Sequence, residues 1–266
     1  MTEPHTVARI AADQRRLGVS PGDLVMVHAS LRKIGPVAGG ADGVIDAVRA
    51  AIGVEGTMLM VLGARNDWGW VNDHPEGERA SLLTDALPFD ALVTPADPDV
   101  GTLAEVFRRR PETVVSDHPE GRFAAAGQLA EMLTSDVPWD DYYGPGSPLE
   151  RLVEAGGRVL RLGADLDTVT LLHYAEFLTD VPTKRRVRRH RAIAAADGPV
   201  VRVVDSIDDS RGIVDLPGED YFSRILRAYL ATGRAAVGMV GAARSELIDA
   251  ADLVEFGASW MAEHLR

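Results

Sequence analysis

The chain contains no cysteine. Disulfides, cysteine-rich zinc sites and any thiol nucleophile are therefore excluded, so an acyl group cannot pass through an enzyme thioester. No apolar run approaches the roughly 18 residues needed to cross a bilayer. Met1 to Gln14 is mixed and partly charged and lacks the apolar stretch of a secretory signal, which points to a cytoplasmic protein with no membrane partner. The sequence has no GxSxG elbow and no HExxH pair, so neither an α/β-hydrolase triad nor a zincin site has a local signature. His28, His74, His118 and His173 are scattered, and no metal is expected. Basic residues are also scarce: 28 against 40 acidic ones, a formal net charge of -12. That balance repels nucleic acid and attracts polycations, although an acidic surface is also an ordinary way to stay soluble.

What is present reads as an α/β protein. Thr6 to Leu17 has helical apolar spacing. Leu24 to Val27 is an unbroken apolar run, as in a buried parallel strand, and it ends at His28-Ala29-Ser30. Asp42 is placed to cap a helix reaching about Ile52, and Thr57 to Leu62 is a second buried strand. This strand–helix–strand order predicts a three-layer sandwich around a mixed, largely parallel sheet, with a smaller β-containing substructure appended. Residues 64–100 are an irregular excursion rich in Trp and acidic residues. Further expectations are helices over 102–109, 124–133, 149–155, 168–178, 220–232 and 249–265. Strands are expected over 158–162, 235–240 and 245–248, with a hairpin around Asp197-Gly198 inside a C-terminal part, 185–248. Without a repeat or low-complexity linker, residues 1–266 read as one domain.

Four stretches could carry chemistry. His28 closes a strand ahead of a loop with Gly39 and Gly40; in open α/β sheets ligands bind at that edge, and free helix N–H groups there can hold an anion. The alternative is a glycine turn beside a satisfied core histidine. His173 and Glu176 lie three apart on an expected helix, so a carboxylate can orient an imidazole, the arrangement of a general base; a surface ion pair is the other reading. Ser116-Asp117-His118-Pro119 reads as a turn before a helix. Lys184 to Arg191 could meet phosphates, but pairing with Asp205, Asp208 and Asp209 is favoured. Acidic residues gather over Asp67 to Glu78, at Asp140-Asp141 and over Asp205 to Asp209, and Trp68 and Trp70 could wall a cleft among them.

Taken in order, Val27-His28-Ala29-Ser30-Leu31 through Gly39-Gly40, Ser116 to Gly127, Gly146-Ser147-Pro148-Leu149, Leu162 to Asp167 and Thr170 to Glu176 resemble the aminoglycoside 3-N-acetyltransferase family. The resemblance covers most of residues 5–195. It implies acetyl-CoA as cosubstrate, with contacts from His28, Ser30, Leu31, Arg32, Val37, Gly39, Gly40, Ser116, His118 and Phe123. It implies direct transfer to the 3-amine of the antibiotic, with His173 as base, Glu176 as its support and Thr170 or a backbone N–H at the oxyanion. Asp67, Trp68, Asp73, Asp167, Asp208 and Asp209 would hold the polycationic substrate. Ala29 and Arg122 depart from the family pattern. The assembly would be a monomer or homodimer. Transfer to another amine, a non-catalytic CoA- or polyamine-binding protein, and a metal-dependent hydrolase are the alternatives.

Overall fold

The computed structural model describes residues 3–265. The chain runs through α1 (Val7–Leu17), β1 (Leu24–Ala29), α2 (Leu31–Ile34), α3 (Gly40–Ile52) and β2 (Thr57–Val61). The excursion then carries α4 (Glu76–Leu82) and leads to α5 (Thr102–Arg108), β3 (Val114–Val115), β4 (Phe123–Gly127), α6 (Ala130–Thr134) and α7 (Pro148–Glu154). Next come β5 (Arg158–Leu162), α8 (Leu172–Leu178), β6 (Arg186–Ile193), β7 (Val200–Ile207), α9 (Tyr221–Ala231), β8 (Ala236–Val240), β9 (Ala243–Asp249) and α10 (Ala250–His264).

Among the described residues the main sheet has seven strands in the order β3-β4-β2-β1-β5-β9-β8. β1 lies parallel to β2 and to β5, while β4 and β9 run against their neighbours. β3, β2, β1, β5 and β8 thus share one direction, the mixed and largely parallel arrangement expected. The pleat divides the core. Leu24 and Met26 of β1 join α7, α8, α9 and α10 on one face; Val25 and Val27 join α1, α3 and α5 on the other. β6 and β7 form a separate two-stranded sheet, paired from Arg186↔Ile207 to Ile193↔Val200. This hairpin is the appended substructure. β8 and β9 lie outside it, in the main sheet.

Three local expectations change. The segment expected as a helix over 124–133 opens as β4, pairing from Val61↔Phe123 to Thr57↔Gly127, and only Ala130–Thr134 is helical. Alanine favours helix weakly, and burial of Ala124, Ala125 and Ala126 between both helix layers outweighs that preference. Gly127 makes the pairing possible: a Cβ there would collide with the Gly56 carbonyl oxygen. The helix expected from Thr168 begins at Leu172. Before it, the Thr168 hydroxyl bonds Asp167 and the chain turns, so Thr170 stays outside the helix. Finally, α3 is capped by left-handed Gly39, with Asp42 one turn inside.

The basic run of β6 is held by carboxylates. Arg186 pairs with Asp205 at 2.6 Å, Arg189 with Asp209 at 2.6 Å, and Arg191 with Glu120 at 2.9 Å. The excursion is fastened to the same strand: Phe89 exchanges backbone hydrogen bonds with Ala192 and Ala194, and the Asn72 amide oxygen accepts from the His190 N–H. Arg122, fully buried, donates to the carbonyls of Ala91, Thr94 and Pro95 and ties the excursion to β4. No described helix is long and apolar enough to cross a membrane.

Candidate active site

α8 follows β5 at the edge of the sheet where the parallel strands end. One turn of helix brings His173 beside Glu176, and Nδ1 of the ring lies 2.8 Å from Glu176 Oε2. Glu176 is fully buried, and its other oxygen accepts from the Tyr221 hydroxyl at the start of α9. An acceptor at Nδ1 fixes the proton there and leaves Nε2 as the free lone pair. Tyr143 stacks on the imidazole at 5.1 Å, and Phe222 meets it edge-on at 4.8 Å. His173 keeps 17% of its side chain exposed, and among the described residues nothing hydrogen-bonds Nε2. Burial favours the neutral ring, yet the charge and hydrogen bond of Glu176, with Asp209 and Asp220 beyond, outweigh it and hold the pKa above the ordinary histidine value.

Two clefts lie here, and they share the segment from Asp209 to Arg211. A cavity of about 350 Å³ is lined by His173, Glu176, Asp167, Asp209, Asp220 and Phe222. A larger one of about 570 Å³ is lined by Asp73, Glu120, Tyr143, Asp208 and Asp209 together with hairpin arginines. Asp209 belongs to both. Burial works against its charge, but Arg189, His173 and the Tyr142 hydroxyl keep its pKa below the usual carboxylate value. Asp73 and Asp208 thus line the larger cleft, Asp167 the smaller one, and Asp209 both. Asp208 commits one oxygen to the Ser210 and Arg211 N–H groups. Asp67 and Trp68 instead line a neighbouring cavity of about 230 Å³ with Leu83, Phe89 and His190. Asn66 lines both this cavity and the larger acidic cleft.

The residues expected to touch a cofactor separate into two groups. Arg32, Gly39 and Gly40 are exposed, and Ser30, Leu31 and Val37 half-exposed, in the loop after β1. Ser30 is anchored by its N–H to the Leu162 carbonyl, so this loop lies beside the end of β5. The second group is buried. His28 is buried; its Nε2 has no partner among the described residues, and burial, then Arg161, pushes its pKa down to about 3. Ser116 accepts from the Phe123 N–H. His118 accepts at Nδ1 from the N–H groups of Glu120 and Gly121 and donates from Nε2 to the Trp139 carbonyl. Phe123 is fully buried against Tyr143. Ser116, His118 and Phe123 are thus buried, with the polar side chains of the first two bonded to backbone. Thr170 offers its carbonyl to the His173 N–H and lines neither cleft. Sequence reasoning missed Tyr143, Tyr221 and Phe222, which surround the dyad from distant segments. Among the described residues no three His, Asp or Glu side chains gather closely enough to hold a metal ion.

A mostly buried imidazole oriented by a buried carboxylate, beside an acidic cleft at one edge of a mixed sheet, defines the candidate site of an α/β protein. The comparisons agree with that class. The family model for aminoglycoside 3-N-acetyltransferases matches residues 26–262, and the chain belongs to that family. Aminoglycoside N(3)-acetyltransferase VII of Streptomyces paromomycinus is 41% identical, across 98% of this chain and 93% of that protein. The solved structure of AAC-IIIb in binary complex with CoASH matches with a TM-score of 0.92 and 39% identity, covering 98% of this chain and 97% of that one. AAC-VIa bound to sisomicin matches with a TM-score of 0.90 and 36% identity, covering 98% of each.

Proposed function

We propose that this chain transfers the acetyl group of acetyl-CoA directly to the 3-amine of the 2-deoxystreptamine ring of aminoglycosides, with His173 as general base. The observation that carries this reading is the His173–Glu176 pair in a cleft that Asp167, Asp209 and Asp220 also line, with Asp209 shared with the larger cleft lined by Asp73. The substrate amine arrives as an ammonium ion, which has no lone pair. Nε2 of His173 accepts its proton, and the resulting imidazolium is held by Glu176. The freed nitrogen attacks the thioester carbonyl and the C–N bond forms; as the C–S bond breaks, the nitrogen sheds its second proton, which the departing thiolate takes up. The missing cysteine supports transfer without a thioester on the enzyme.

Carboxylates in the cleft would bind the other ammonium and hydroxyl groups by charge-assisted hydrogen bonds. On the cosubstrate side, the exposed loop from Ser30 to Gly40 fits an anionic chain: Arg32 is free to reach phosphates, and Gly39 and Gly40, both with positive φ, bare the first N–H groups of α3. Because Thr170 itself lines neither cleft, a backbone N–H near it would face the tetrahedral oxyanion. The deciding measurement is thiol release from acetyl-CoA over a panel of aminoglycosides, including one whose 3-amine is already blocked. Release with the free amines and none with the blocked compound is expected. Equal release with the blocked one moves the chemistry to another amine, and weak, unselective release points to a different natural acceptor.

A further inference from the structure

Glu176 has a second partner that the proton transfer itself does not require. The Tyr221 hydroxyl donates to Glu176 Oε1 and accepts from the Ile213 N–H at 3.1 Å, while the other carboxylate oxygen holds His173 at 2.8 Å. Ile213 lies in the loop from Asp208 to Asp220, which carries Asp209 into both clefts. That loop crosses directly over the phenol at Gly212, whose φ is +77°. A Cβ there would lie 2.6 Å from Tyr221 Cε1, so a side chain at this position would press on the phenol ring. The next residue, Phe222, is the ring that packs on His173.

We infer that Tyr221 is a positioning residue: its hydroxyl joins the substrate-binding loop to Glu176, so that the base is fully oriented only while the loop carrying Asp209 is seated. The inference rests on the reading of His173 as base. Without the phenol, Glu176 keeps more of its charge for His173, which strengthens its hold on the imidazolium, and its carboxylate is free to swing. The groups facing His173 are Glu176 on its own helix, Asp209 from the loop, Asp220 and Tyr221 from α9, and Tyr143 from the segment before α7; Lys184 faces Glu176 from behind. Of these, Tyr221 alone contacts both the carboxylate and the loop backbone.

The test is Tyr221→Phe, read by nitrogen NMR of His173 and by the pH dependence of kcat. The expected result is a His173 titration and an acid limb of kcat that move together to higher pH, by about half a pH unit to one. The plateau kcat should fall about 3- to 30-fold, KM for the aminoglycoside should rise, and KM for acetyl-CoA should stay unchanged. An unmoved titration in a folded Tyr221→Phe protein overturns the inference. Should that variant fold poorly, Gly212→Ala keeps every hydrogen-bonding group yet presses on the phenol. It should show the same changes more weakly, and unchanged values there count equally against the coupling. His173→Gln separates the two ideas. Normal turnover in that variant removes the base assignment, whereas the NMR of Tyr221→Phe still reports whether the phenol holds the pair.

Discussion

His118 and His173 occupy two regions that are both largely closed to water, and they are shifted in opposite directions. His118 sits in the loop between β3 and β4, where backbone N–H groups donate to one ring nitrogen and a carbonyl takes the other. Burial therefore decides, and its pKa is pushed down to about 4. His173 faces an equally apolar wall of Tyr143 and Phe222, but its partner is a buried carboxylate, and its pKa goes up. Backbone dipoles at both nitrogens tie a histidine to structure; a carboxylate behind one nitrogen leaves the other for chemistry.

The sharpest way to break the contrast is to delete each ring. His173→Ala should lower turnover about 10²- to 10⁴-fold, the range of a positioned general base, in a protein that still folds. Near-normal kcat would end the assignment. Asp209→Asn should act next most strongly: loss of a charged partner is worth about 1.5–3 kcal/mol, so KM for the aminoglycoside should rise roughly 10- to 100-fold with a smaller change in kcat. An unchanged KM would place the antibiotic elsewhere in the cleft. His118→Ala should reverse the pattern. It strands the Trp139 carbonyl and two N–H groups, costing about 1–3 kcal/mol of stability. Its kcat per folded molecule should stay within a few-fold, as thermal unfolding and active-site titration would report.

The sequence carried the elements whose signal is local. The Leu24 to Val27 run, the hairpin about Asp197-Gly198 and the His173–Glu176 spacing each lie within a few residues and needed no partner to be recognised. The pairing of Arg186 and Arg189 with Asp205 and Asp209 was legible because opposite charges faced each other across one hairpin. β4 was not: its alanines become a strand only because β2 lies alongside. Nor were Tyr143 and Tyr221, which reach the dyad from 30 and 45 residues away in sequence and carry no motif of their own. For His118 only the motif was legible; that both ring nitrogens are bonded to backbone became visible only in the fold.

The smallest effect is in stability against pH, and here the two histidines should make opposite limbs. His118 binds its proton less readily when folded. Between about 6.5, the unfolded value, and about 4, the unfolded chain holds more protons, so stability falls as pH falls through that window. His28, with a folded value near 3, works in the same sense. His173 binds its proton more readily when folded. Its contribution is complete below about 6.5 and is lost as pH rises through the raised folded value. On the proposed base role, activity should run the other way on this limb, because a base works only once deprotonated. Urea midpoints measured from pH 5 to pH 9 should therefore show, relative to wild type, a flatter alkaline limb in His173→Gln and a shallower acid limb in His118→Gln. If His173→Gln alters only the acid side, the imidazole at residue 173 is not held by Glu176 in the charged state, and the contrast between the two regions disappears.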